Sequence, residues 1–203
     1  MSKPDRSIDP RILSSAKKVF LTHGFQNASL KEICEAAGIT TGALYKRYKG
    51  KEALFNAVVA ETVAALDDFI EQRCKVEASS LSDDALVKAW DMDEENTLDY
   101  LRFFHEYRDG FILLLTCAEG TAHSNFQHDW VEKMTEKTYE YFLEAQKRGL
   151  TRTNTSIEEF HILLSAFWTT IYEPFIHDFT WEQIESHNKL ICGLFNWRQV
   201  LGF

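Results

Sequence analysis

SLKEICEAAGITTGALYKRYKGKEALF, residues 29–55, decides how this chain is read. Ser29 followed three residues later by Glu32 has the spacing of a capping box, in which hydroxyl and carboxylate close the first turn of a helix reciprocally. Leu30, Ile33, Cys34 and Ala37 then fall on one face at helical spacing, and Gly38 ends the helix. Thr40 can cap a second helix at once, with Leu44 and Tyr48 as its inward i, i+4 pair. Two short helices, Leu30–Ala37 and residues 41–47, joined through Gly38, Ile39 and Thr40, make a helix-turn-helix.

Working outward, Asp9 can cap an opening helix and Pro10 suits its first position, where no N–H is needed. Ile12, Leu13, Ala16, Val19 and Phe20 repeat at helical spacing, and Gly24 is the expected stop. Beyond Gly50 a long helix begins near Lys51, with Leu54, Phe55, Val58, Val59, Leu66, Phe69 and Ile70 as its apolar stripe. Ser82 reads as a cap, Asn96 opens a segment through Tyr107, and Asp109 starts a short apolar helix to Ala118. A further helix carries Phe126, Trp130, Met134, Tyr141 and Ala145 and stops at Gly149. The next holds Phe160 through Phe175, with Pro174 expected to kink it or end it near Tyr172. Ile184 through Leu201 mark the last helix. No strand-like alternation occurs, so the fold class is all-α. The expected organisation is a three-helix helix-turn-helix domain at 1–52 followed by a larger helical bundle at 53–203, about nine helices.

In a helix-turn-helix the first helix crosses the DNA backbone and the second enters the major groove. The outward positions of the second helix hold Thr41, Gly42, Ala43, Tyr45, Lys46 and Arg47. Small residues allow close approach to base edges. Ala43 suits a thymine methyl, and Lys46 and Arg47 donate to guanine or phosphate. Ser29, Thr40 and the N–H groups they cap can receive phosphate. Lys51 opposes the dipole of its own helix unless a phosphate neutralises it. Singly, these residues have plainer readings: Gly42 as a poor helix residue, Lys46, Arg47 and Lys49 as a solvated face, Tyr45 as packing. Jointly, at this spacing, they favour a nucleic-acid reader.

The stretch from Arg11 to Phe55 resembles the N-terminal domain of the tetracycline-repressor (TetR) family of bacterial regulators. The shared skeleton is Ser29, Ala36–Ala37 before Gly38, Gly42, Leu44, Tyr45, an aromatic at 48, and Lys49-Gly50-Lys51-Glu52 leading to Leu54-Phe55. The resemblance implies a homodimer, an operator with dyad symmetry, and an all-helical C-terminal domain with an inducer pocket. It implies Tyr45 and Lys51 on phosphate and Thr40, Thr41, Gly42 and Ala43 near bases. The sequence departs from the family at Thr41, Lys46, Arg47 and Gly50, which alters the operator to be expected and leaves the fold intact.

Charge agrees. Residues 1–52 carry ten Lys or Arg against five acids, a net of +5. The remainder holds 12 basic and 26 acidic residues, a net of −14, so the overall −9 hides a basic head on an acidic body. No apolar run approaches the roughly 20 residues of a membrane span. The polar stretch from Met1 to Pro10 lacks the apolar core of a signal peptide, so a cytosolic protein is expected. The four cysteines form no CxxC pair and are expected to be reduced, mostly buried thiols.

The resemblance places the dimer interface on the last two helices, with Phe160, Leu164, Phe167, Ile171, Ile184, Ile191, Leu194 and Phe195 as candidates. Candidate effector contacts are Trp90, Phe103, Phe104, Tyr107, Phe111, Glu119, Trp130, Phe167 and Trp168, suiting a small hydrophobic or amphipathic compound. With the acidic body and Glu119, a cationic aromatic is one candidate. Repression relieved by an inducer is the default reading, activation the alternative. A helical enzyme or carrier with a basic end is the alternative of a different class. His105-Glu106-Tyr107-Arg108-Asp109 only brushes the HExxH zinc pattern, and no cofactor or metal site is expected.

Overall fold

Helix α1 (Ile8–Asn27) opens the computed structural model, which describes residues 8–203, with side chains from Asp9 onward. Lys3, Asp5 and Arg6, counted in the basic head, lie outside the described residues. Asp9 sits inside the first turn of α1 rather than at its cap. Gly24 breaks the helix as expected, with φ 71° and ψ 168°, before one last turn to Asn27. Next come α2 (Leu30–Ala37), α3 (Thr41–Tyr45) and α4 (Lys51–Arg73). After a 3-10 turn at Ala78–Ser80 follow α5 (Asp83–Lys88), α6 (Glu94–Glu106) and α7 (Arg108–Thr116). The chain then forms α8 (Phe126–Lys147), α9 (Ile157–Ile176), α10 (Trp181–Leu194) and α11 (Trp197–Leu201). Among the described residues there is no strand, and no helix is long and apolar enough to cross a membrane.

Packing divides the chain into two units: one runs through Leu66 and includes Tyr107–Phe126, and the other comprises Asp67–Glu106 and Gln127–Phe203. The division differs from the change of charge near residue 52, because Leu54, Phe55 and Val59 of α4 are fully buried in the first unit's core. Phe55 meets Phe20 edge-on at 5.1 Å and Phe25 at 5.5 Å, and Ile12, Ala16, Ile33 and Leu44 complete that core. Each of the large side chains among them contributes about 1.5–3 kcal/mol by leaving water. The segment after α7 is tied to α1 by the Phe25 N–H donating to the Cys117 carbonyl at 2.9 Å. Helix α7 crosses α4 at Gly110, where a Cβ would stand 1.9 Å from Thr62 Oγ1, so only glycine permits that approach.

The second unit is built on rings. Phe104 lies edge-on to Trp130 and Trp168, at 6.2 and 5.8 Å, and Trp90 meets Phe160 at 5.8 Å. All five tryptophans of the chain fall in this unit. Pro174 neither ends α9 early nor leaves a bare carbonyl. The helix runs to Ile176, and His187 Nε2 of α10 lies 3.1 Å from the Thr170 oxygen that an N–H at 174 would have served. The single helix expected over 184–201 divides instead at Phe195, where Asn196 leaves helical geometry and caps α11. Arg148 pins the segment before α5, donating to the carbonyls of Leu81 (2.7 Å) and Ser79 (2.9 Å).

Candidate functional site

Thr40 caps α3 by accepting from the Ala43 N–H at 3.2 Å, and Gly38, at φ 65°, makes the turn from α2. The helix is shorter than the sequence suggested, five residues rather than seven, because residues 46 and 47 form a turn. Buried Leu44 fastens its inner face. Thr40, Thr41, Gly42, Tyr45 and Lys46 are exposed, Ala43 is half-buried, and Ser29 is exposed at the start of α2. Tyr45 is 56% exposed, so it is not a packing residue. A Cβ on Gly42 would meet only Thr40 Oγ1, at 3.9 Å, and Gly42 is absent from the positive-φ glycines. Among the described residues nothing requires a glycine there.

Three expectations about this region change. Arg47 is not directed outward: its side chain is 18% exposed and its Nε donates to Asp9 Oδ1 at 2.5 Å, joining the end of α3 to α1. Lys51 has protein partners that answer its unfavourable dipole. Its Nζ donates to the carbonyls of Gln26 (2.8 Å) and Ala28 (3.1 Å) and lies 4.8 Å over the Phe25 ring. Those carbonyls lie at the end of α1 and in the link to α2. Ser29 accepts from the Glu32 N–H, but the Glu32 carboxylate turns to His23 at 3.3 Å instead of closing the capping box.

The expected effector aromatics do not converge on one site. Phe104, Trp130, Phe167 and Trp168 are core of the second unit, 0 to 5% exposed. Phe103 stacks on Phe69 at 4.4 Å. Tyr107, Phe111 and Glu119 belong to the first unit, with Phe111 buried and Glu119 exposed. A cavity of about 290 Å³ in the second unit takes only Trp90 from that set; Arg73, Lys88, Tyr100, Met134 and Tyr141 help to line it. Burial pushes the Tyr100 phenol up from its ordinary value, so its hydroxyl stays protonated at neutral pH. No sequence signal marked these residues, because Arg73, Lys88 and Tyr100 stand on separate helices without a motif.

The expected dimer residues are mostly spoken for. Phe160, Leu164, Phe167, Ile171, Ile184 and Ile191 are all buried within one chain; Leu194 is 69% exposed and Phe195 is half-buried. The largest apolar residues of α9 and α10 fill their own core. Outward they present Ile162, Ala166 and Thr169 on α9, and Ser186, Leu190, Gly193 and Leu194 on α10. Among the described residues no group of three His, Cys, Asp or Glu could hold a metal ion.

The model of the family of bacterial regulatory proteins described as tetR matches residues 12–58. The HTH-type transcriptional regulator UidR of Escherichia coli (strain K12) is 41% identical over 51 residues, 25% of this chain and 26% of that protein. The match thus spans about a quarter of its relative's length. The HTH-type transcriptional repressor AcnR of Corynebacterium efficiens is 25% identical over 175 residues, 85% of this chain and 82% of AcnR. Native NalD, the secondary repressor of the MexAB-OprM efflux pump in Pseudomonas aeruginosa, shares the fold at a TM-score of 0.63. It is 18% identical, and 93% of this chain and 96% of that one are covered.

Proposed function

Because this chain belongs to the tetR family of bacterial regulatory proteins, we propose that it is a homodimeric transcriptional repressor, released from a palindromic operator by a small hydrophobic or amphipathic effector. Membership of a family of regulators removes the ground for the enzyme alternative. The observation that carries the proposal is the outer face of α3: small, hydroxyl-bearing, exposed, and rigidly mounted by Leu44 and by the Arg47–Asp9 pair.

On this reading α3 enters the major groove with Thr41, Gly42 and Ala43 against base edges and Lys46 within reach of guanine or phosphate. Tyr45 donates its hydroxyl to phosphate, while Ser29 and Thr40 border the strands. Arg47 and Lys51 act from behind, the first orienting α3 and the second holding α4 to the end of α1. The dimer forms through Ile162, Leu190 and Leu194 with the small residues between them, and sets two α3 helices one DNA turn apart, roughly 34–36 Å. The effector relieves repression to the extent that it binds better to the arrangement that does not fit the operator.

A mobility-shift titration with DNA from the chain's own promoter tests the proposal. Binding that weakens steeply as salt rises, with a footprint of two half-sites, supports it. Failure to shift any promoter fragment at low salt overturns it.

A further inference from the structure

The effector cavity of the second unit has a charge pattern opposite to that of the domain around it. Arg73, at the end of α4, lays its guanidinium 3.7 Å from the centre of the Tyr100 ring and 4.8 Å from that of Phe69. Lys88, at the end of α5, lines the same cavity. Among the described residues neither cation has a carboxylate within 4 Å, whereas the one acid in the lining, Asp91, is held by Arg198 at 3.2 Å. Lys137 and Glu140 both act on Cys74 in the wall and oppose each other. The rest of the lining is apolar or neutral: Trp90, Met92, Met134, Tyr100 and Thr138.

These observations point to one ligand chemistry. A guanidinium stacked on an aromatic face keeps its edge N–H groups in one plane, the geometry that receives a carboxylate. The net charge of −14 over residues 53–203 does not decide the matter, because exposed charges farther than about 8 Å are screened at physiological salt while cations in the wall are not. A cavity of about 290 Å³ lies at the small end of ligand sites, which sets the size at roughly a dozen heavy atoms. We propose that the effector is a small amphipathic carboxylate, its head group between Arg73 and Lys88 and its apolar part against Trp90, Tyr100 and Met134. This rests on the reading of the second unit as an effector domain and replaces the cationic aromatic suggested by composition.

Calorimetric titration of the full-length protein, without DNA, tests the proposal with trios matched in carbon skeleton: octanoate, octanamide and octylamine, and 4-phenylbutyrate with its amide and amine. Within at least one trio the carboxylate should bind about tenfold or more tighter than its amide, and the amine should not bind. Arg73→Gln or Lys88→Gln should abolish that preference in a protein whose circular dichroism shows it still folded, and Arg73→Lys should restore part of it. Preference for amines, a carboxylate preference that survives the double Gln variant, or binding of neither trio below about 1 mM overturns the proposal. Promoter binding is measured separately. A protein that shifts DNA yet ignores carboxylates keeps the regulator reading and loses this one; the reverse result separates them equally well.

Discussion

Replacing Gly42 by alanine should improve the protein as a folded object and impair it as a DNA reader. The added methyl meets nothing closer than Thr40 Oγ1 at 3.9 Å, so there is no clash to absorb and no cavity to fill. What remains is the backbone entropy a glycine loses in a helix, about 0.5–1 kcal/mol relative to alanine, and the variant should gain up to that amount. On the duplex the sign reverses. A methyl forced into a surface already in close contact costs about 1–3 kcal/mol, and a dimer carries two of them, so the operator Kd should rise about 30-fold or more. Denaturant unfolding gives the first quantity and mobility-shift titration at fixed salt the second. Unchanged operator affinity in a stabilised variant would refute the claim that this surface meets bases. Reduced stability would refute the claim that nothing inside the fold needs the glycine.

Three further outcomes follow from the same geometry. Arg47→Ala should weaken operator binding while leaving the slope of affinity against salt unchanged, and Asp9→Asn should mimic it; Lys46→Ala should lower that slope by about one per head. Equal slopes for Arg47→Ala and Lys46→Ala would return Arg47 to the phosphate. Gly110→Ala should destabilise by about 1–3 kcal/mol or more, and pairing it with Thr62→Ala should recover much of the loss in urea unfolding, because the clash is with that one side chain. His187→Phe should cost about 1–3 kcal/mol by stranding the Thr170 carbonyl, whereas in a Pro174→Ala background the restored helical N–H should shrink that cost. Additive effects of the last pair would show that the histidine does not substitute for the missing bond.

The head was legible because its signals are local. Caps at Ser29 and Thr40, stops at Gly24 and Gly38 and the inward Leu44 each concern neighbours within four residues, and they place every element of the motif. Side-chain destinations across longer separations were not legible. Arg47 and Asp9 lie 38 positions apart, and Lys51 reaches carbonyls 23 and 25 residues upstream, so a cation read as facing outward has a partner from another helix. Apolar stripes misled about which residues of α9 and α10 face outward, for a related reason. Periodicity selects the most apolar residues of a helix, and those go to its own core; the exposed positions Ala166, Ser186 and Gly193 leave almost no hydropathy signal. The cavity depends on residues from four helices and a turn, a coincidence that no single stretch of sequence encodes.

The placement of every tryptophan in the second unit has a spectroscopic consequence. Indole emission excited near 295 nm arises from that unit alone, so contact between DNA and the head has no emitter of its own. Any change in emission when operator DNA is added would therefore report on the second unit, without a dye or an engineered label.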